Sequence, residues 1–375
     1  MGTTNFRETL DSLCVLWYNI HNIGAFDTAS AEFIQNGDYA MTYTSKEIIK
    51  RLISHKDPIR FGFDFHSLSD MQWVGSRSYM DLPDNPYDAW GHYPELQKIT
   101  GFHGETRRDI YGNIYGRFEG KTKGECIRGI IQDWDDFDYF IPTFDPDFRR
   151  VLLGQNLAEN PRFTMAGGAS LFSALRDARL MPNALADTIT DPEAVTAFID
   201  RIAEHEVAVI KSIAGCGVDG WFLGDDWGTQ DRTFISPASF RALFKPAYKK
   251  VADAAHEAGM SVLFHSCGYN YEFMEDFIDI GFDALQFDQP DAYPTEVLAR
   301  EFAHRAVFYS PVDIQKVLPT GDRELIEHRA LEMCRLFREA GGGWLAKDYP
   351  TYHDIGVDPR WAKWAQDVIV ANSKL

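Results

Sequence analysis

The sequence predicts a (β/α)8 barrel, and three observations carry that prediction. Short apolar runs ending in polar residues recur along the chain. Amphipathic stretches of helical period separate the later runs, as parallel βαβ units require. No G-x-G-x-x-G follows the first run, which counts against an open doubly wound sheet. Seven runs read as strands: 59–65 (IRFGFDF), 162–167 (RFTMAG), 220–225 (GWFLGD), 260–265 (MSVLFH), 283–288 (DALQFD), 305–310 (RAVFYS) and 343–347 (GWLAK). The eighth is placed at 138–144 (DYFIPTF).

The helices follow from their ends. Ser236-Pro237 opens one with a capping hydroxyl and a proline in the first turn. The stretch 246–256 runs into Gly259, while 272–280 and 323–340 stop at Gly281 and Gly341. A helical segment is expected before the first strand. The stretch 67–136 fits neither period and is rich in Trp, Tyr, Gly and Asp, so it reads as an insertion on the functional face, after the first strand, or equally as a helical lid with purely structural aromatics. One domain is expected to span residues 1–375.

Composition excludes several classes. At 45% hydrophobic and 14% aromatic residues, the chain of 375 has ample material for a large core. Its 29 glycines and 17 prolines are ordinary for that length and exclude collagen-like and low-complexity chains. A formal net charge of −19 opposes nucleic-acid binding, since Lys and Arg cluster no further than pairs such as Arg149-Arg150 and Lys249-Lys250. No apolar run is long enough to span a membrane, and residues 1–10 lack a signal-peptide pattern. Five scattered cysteines (Cys14, Cys126, Cys216, Cys267, Cys334) argue for a reducing, cytoplasmic setting.

A (β/α)8 barrel presents its chemistry at the C-terminal ends of its strands. Those ends here carry Asp64 and His66, Asp225-Asp226, His265-Ser266-Cys267, Asp288-Gln289, Ser310 and Asp313, and Lys347-Asp348-Tyr349. His265 and Cys267, two apart after a strand, suit Zn2+ as nitrogen and sulfur donors. The alternative is a histidine that binds substrate beside an inert small cysteine. Of the adjacent carboxylates, Asp225 or Asp226 is a candidate acid or base; equally, one is a metal ligand and the other a helix cap. Asp348, Tyr349 and His353 form a further source of a metal ligand. His21, His55, His256, His304 and His328 read as surface or core histidines, and Cys334 as core filler.

A succession of motifs carries a family resemblance: Gly224-Asp225-Asp226-Trp227-Gly228-Thr229-Gln230, Ile235-Ser236-Pro237, His256-Glu257-Ala258-Gly259 and Phe264-His265-Ser266-Cys267-Gly268. It continues through Asp288-Gln289-Pro290, Pro311-Val312-Asp313-Ile314-Gln315 and Gly341-Gly342-Gly343, and touches 61–65. Together these resemble the uroporphyrinogen decarboxylase superfamily, in its branch of corrinoid-dependent methyltransferases, over about two thirds of the chain. The resemblance implies a barrel with its site at the C-terminal mouth. It also implies a zinc ion held by His265, Cys267 and a third ligand near the end of the chain. That ligand is commonly a cysteine, but Asp348 and Tyr349 stand there, so Asp348 or the upstream Asp226 would supply oxygen instead.

The same resemblance implies an arginine-rich N-terminal segment in the decarboxylases, whereas residues 1–60 offer only Arg7, Arg51 and Arg60. It therefore points to a zinc-dependent methyltransferase acting with a small methylated compound and a corrinoid protein, because no corrinoid-binding signature occurs in the chain. Asp225 or Asp226 would orient substrate or protonate its leaving oxygen, and Asp64, His66, Gln289 and Tyr349 would bind it. Trp73, Tyr79, Tyr87, Trp90 and Tyr93 would suit a methoxylated aromatic. A homodimer is expected, as barrels of this superfamily often pair. Two alternatives stand beside this reading: a cofactor-free decarboxylase, with Asp225 or Asp226 stabilising a cation and His265 donating a proton, and a non-catalytic ligand-binding barrel.

Overall fold

The computed structural model describes residues 43–74, 80–81, 84–118, 124–136, 141, 143–144 and 148–375. Arg7, Cys14, His21, Tyr79 and most of 138–144 lie outside the described residues.

Eight strands pair side by side in parallel: β1 Gly62–Phe65, β2 Met71–Trp73, β3 Phe163–Gly167, β4 Gly220–Gly224, β5 Ser261–His265, β6 Ala284–Gln286, β7 Val307–Ser310 and β8 Trp344–Lys347. β8 returns to pair with β1. A short strand, Leu68–Ser69, lies antiparallel on β1 and leads through the single residue Asp70 into β2. The two ends of the nine-stranded sheet are thus joined covalently, which closes the barrel. Asp70 is the seam: its N–H donates to the Phe63 carbonyl (2.8 Å) and its own carbonyl accepts from Phe163 (2.9 Å). Its buried carboxylate takes both terminal nitrogens of Arg60 (2.8 and 2.7 Å), the Ser45 hydroxyl (2.6 Å) and the Phe63 N–H (2.9 Å).

All seven strand runs read from the sequence are barrel strands. The eighth is not 138–144 but Met71–Trp73; Thr143–Phe144 instead pairs antiparallel with Met80–Asp81, outside the barrel. Three residues are too few to show a period, and only pairing with β3 makes this segment a strand. The insertion accordingly follows the second strand rather than the first. Its described part holds a helix, Pro94–Thr100, and an antiparallel sheet of Glu105–Arg108, Ile114–Arg117 and Glu125–Arg128.

Alternation sorts the side chains. Met71, Phe163, Met165, Phe222, Leu263, Ala284, Val307, Tyr309 and Leu345 fill the interior, capped by Ile49, Leu52 and Ile53 of the helix Ser45–Ile53. That helix begins with a capping box between Thr44 and Glu47. Outward residues such as Trp221, Val262, Phe264, Leu285, Phe308 and Trp344 pack in the outer apolar layer with the surrounding helices. Helices occupy Pro237–Leu243, Lys245–Glu257, Met274–Ile280 and Arg323–Glu339, with Gly259, Gly281 and Gly341 left-handed after the last three. Cys334 is fully buried in the outer core. Among the described residues, no helix is long and apolar enough to cross a membrane.

Inward positions near the C-terminal strand ends turn polar: Asp64, His265, Gln286 and Lys347 replace the aliphatics below them. The polar mouth is therefore a direct product of strand alternation.

Candidate metal centre at the barrel mouth

Two loops build the centre. The loop after β4 carries Asp225 to Gln230 and the loop after β5 carries Ser266 to Tyr271. They are zipped by backbone bonds: Asp225 N to His265 O (2.9 Å), Gly228 N to Cys267 O (3.2 Å) and Tyr269 N to Thr229 O (2.8 Å). The Ser266 hydroxyl accepts from Trp227 N at 3.0 Å. Gly228 and Gly268 allow this approach: Gly268 has φ +78°, and a Cβ on it would run into the Gly228 carbonyl.

Asp226, His265 and Cys267 consequently meet, their ligand atoms all within 4.8 Å of one another. His265 Nε2 lies 3.3 Å from Asp226 Oδ1 and 3.4 Å from Cys267 Sγ. The Cys267 N–H donates to the same Asp226 oxygen at 3.0 Å. Burial opposes the charge on Asp226, but the hydrogen bond and charge of His265, then Arg176 and the Cys267 N–H, outweigh it and hold the carboxyl below its ordinary range. Burial first, then the charges of Asp226 and Asp288, push the Cys267 thiol well up, with Lys347 pulling the other way.

The neighbouring carboxylates divide their duties. Asp225 is fully buried and accepts from the N–H groups of Leu171 (2.8 Å), Phe172 (3.0 Å) and Ser173 (2.7 Å), and from the Tyr248 hydroxyl. It therefore caps the helix Leu171–Arg179 rather than facing the mouth. Tyr248 also accepts from Trp227 Nε1 (3.2 Å), and the Trp227 ring stacks on Phe172 at 4.2 Å. This aromatic block holds the chain on either side of Asp226.

The remaining expected residues are dispersed. Asp348 is turned away from the centre: Gln366 donates to it at 2.8 and 2.7 Å and the His66 N–H at 2.7 Å. Among the described residues, Asp226 and not Asp348 joins His265 and Cys267, so the third-ligand expectation shifts upstream. The His66 ring is exposed and packs edge-on against Tyr352 at 5.2 Å. Gln289 accepts from the Gly268 N–H at 3.0 Å and so braces the β5 loop. Asp64 accepts from Ser69 (2.7 Å) and from the Tyr309 hydroxyl. Tyr349 is buried, its ring 6.0 Å from the Lys347 ammonium. Asp313 caps its own loop, accepting from Gln315 N (2.8 Å) and Lys316 N (2.7 Å).

In the sequence Asp288 and Lys347 stand out only as strand-end residues, and Gln286 not at all. Lys347 pairs with Asp288 at 2.7 Å in a fully enclosed ion pair, and Gln286 Nε2 donates to the same carboxylate at 2.9 Å. Their signal was present: polar side chains at inward positions of otherwise apolar strands.

The donor set fits a zinc ion. Tetrahedral zinc, with bonds of about 2.0 Å to N and O and about 2.3 Å to S, separates an N–O ligand pair by about 3.3 Å and an N–S pair by about 3.5 Å. The two edges at His265, 3.3 and 3.4 Å, match. A zinc ion held by three protein donors would keep a fourth position open.

Comparison with known proteins agrees with the architecture. Residues 164–346 match the family model described as Uroporphyrinogen decarboxylase (URO-D). A stretch of 146 residues is 27% identical to the methylated-thiol–coenzyme M methyltransferase of Methanosarcina mazei, covering 39% of this chain and 37% of that protein. The match thus spans little more than a third of that relative's length. A solved methyltransferase from Methanosarcina mazei shares the fold with a TM-score of 0.60 at 16% identity, over 88% of this chain and 99% of that one. The similarity to the uroporphyrinogen decarboxylase family thus covers residues 164–346, and the likeness to methyltransferases rests on one partial sequence match and a shared fold.

Proposed function

We propose that this chain is a zinc-dependent methyltransferase that moves a methyl group between a small methylated compound and a corrinoid carried by a partner protein. One observation carries the reading: oxygen, nitrogen and sulfur donors from Asp226, His265 and Cys267 converge at the barrel mouth of a chain similar to this family. Zinc held there would supply Lewis acidity to the heteroatom that gives or receives the methyl group.

The chain's own residues do the rest. Asp226 brings a carboxylate already in its charged form, which offsets part of the cation's charge. The zipped loops hold the three donors before any ligand arrives, so little ordering cost remains at binding. Asp225 takes no part in proton transfer here, because its oxygens are committed to the helix it caps. Tyr349 and the Lys347–Asp288 pair wall the interior side.

The described aromatics expected to suit an aryl ether have partners of their own. Trp73 packs edge-on against Phe222 at 5.3 Å, Tyr87 against Tyr93 at 5.1 Å, and Arg117 lies 4.5 Å over Trp90. They add nothing in favour of an aryl ether, so the substrate class stays a small methylated compound. Free cysteines at 126, 216, 267 and 334 accord with a reducing, cytoplasmic setting.

The test is elemental analysis of protein purified without added metal, beside Asp226→Ala, His265→Ala, Cys267→Ala and Asp348→Ala. About one zinc per chain is expected in the parent and in Asp348→Ala, with loss in the other three. A parent protein without metal after zinc reconstitution overturns the reading, and turnover without metal would favour the decarboxylase alternative. Methyl-donor screening with a corrinoid protein follows a positive result.

A further inference from the structure

Behind the metal centre lies a polar layer with unmet hydrogen-bonding capacity. His265, Gln286 and Tyr309 are register partners on β5, β6 and β7, so all three point into the barrel at one level. Asp288 follows Gln286 by two residues, and both side chains are 1% exposed. Lys347 Nζ and Gln286 Nε2 both donate to Asp288 Oδ1, at 2.7 and 2.9 Å. That leaves Asp288 Oδ2 and Gln286 Oε1, both buried, with no donor from the described residues.

The amide orientation of Gln286 is fixed by chemistry. Turning it over would set its oxygen against a carboxylate oxygen, so Nε2 faces Asp288 and Oε1 faces away. His265 Nδ1 is likewise buried without a partner, since Nε2 is the nitrogen that meets Asp226 and Cys267. A buried acceptor without a donor is costly, and native proteins keep few of them without a reason.

We propose that Gln286 and Asp288, with Lys347 setting the charge of the layer, form a recognition subsite for a neutral hydrogen-bond donor, a hydroxyl above all, on the methylated substrate. The subsite rests on the barrel mouth being the methyl-transfer site and names the substrate's chemistry there. A hydroxyl can donate to either orphaned acceptor, which an ether or thioether cannot. An ammonium only donates and would be brought up against Lys347. Lys347 and Asp288 together carry no net charge, so the subsite favours a neutral group over an ion.

The experiment reads binding rather than turnover, so it needs neither metal nor corrinoid protein. Calorimetry would compare 2-(methylthio)ethanol with ethyl methyl sulfide, 2-methoxyethanol with 1,2-dimethoxyethane, and 2-methoxyphenol with 1,2-dimethoxybenzene. In at least one pair the hydroxyl-bearing member is expected to bind about 10- to 100-fold more tightly, as a buried hydrogen bond to a charged acceptor allows.

Gln286→Met removes the orphaned acceptor at similar volume, and Asp288→Asn removes the charge. Both should erase most of the preference, and Gln286→Met should leave the melting temperature unchanged or higher. A purely structural Gln286 would instead lower that temperature and leave the preference intact. If no hydroxyl-bearing probe outbinds its partner in the parent chain, whether neither binds or both bind equally, the proposal is wrong. Zinc content is measured separately, so loss of this subsite and loss of the metal centre give different results.

Discussion

Asp225 and Asp226 are adjacent in sequence and opposite in duty, and substitution should separate them. In Asp225→Ala, three backbone N–H groups and the Tyr248 hydroxyl lose their acceptor inside the core. At about 1 kcal/mol for each group, the low end for unsatisfied buried donors, the loss is about 4 kcal/mol. For a chain of this size each kcal/mol lowers the melting temperature by roughly 2 °C, so a fall of about 8 °C is expected. Asp226→Ala forfeits only the contacts of one oxygen to His265 Nε2 and Cys267 N, and should melt within a few degrees of the parent. The assay is differential scanning fluorimetry with zinc analysis on the folded fraction. Asp225→Ala should keep its metal while losing stability, and Asp226→Ala should do the reverse. If Asp225→Ala melts like the parent but loses zinc, the division of labour argued here is refuted.

Three further outcomes follow from the geometry. Gly268→Ala places a Cβ against the Gly228 carbonyl at a left-handed φ, so it should cost about 2–5 kcal/mol and lower zinc occupancy; a stable, fully loaded variant would show that the loops are not interlocked. Asp70→Ala removes the seam carboxylate from Arg60, Ser45 and Phe63, and a loss of about 3–5 kcal/mol in urea unfolding is expected. Asp109 has its carboxyl pushed from an ordinary 3.8 to about 6, first by burial and then by the charge of Asp177, against hydrogen bonds from Asn113. A raised folded value means the native state holds the proton more tightly. Stability from this group is therefore full below about pH 4 and lost as pH rises through about 6, by roughly 3 kcal/mol. Melting temperatures of parent and Asp109→Asn across pH 4 to 8 check it: the variant should lack that downward slope.

Strand alternation was legible because it is local. The run GWFLGD alternates outward Trp221 and Leu223 with inward Phe222, and the same period carried MSVLFH to an inward His265. Glycine stops were legible because only glycine takes the left-handed turn cheaply, as at Gly259 and Gly281. His265 and Cys267 were readable as a pair because they stand two residues apart, one at a strand end and one in the loop that follows it. Met71–Trp73 was not, since three residues carry no period and become a barrel strand only by pairing with β3.

The barrel, the polar character of its mouth and the pairing of an imidazole with a thiol all follow from local pattern in the chain. Which carboxylate joins them depends on long-range contacts. Asp225, Asp226 and Asp348 are chemically alike, and nothing local distinguishes them. Asp225 is drawn to the N–H groups of a helix that begins at Leu171, far back along the chain, and Asp348 to Gln366, farther on. Asp226 is left facing His265 because Gly228 and Gly268 let two loops from different strands touch. Contacts between residues distant in sequence choose among identical side chains, so the candidate ligand set belongs to the fold and only its ingredients to the sequence.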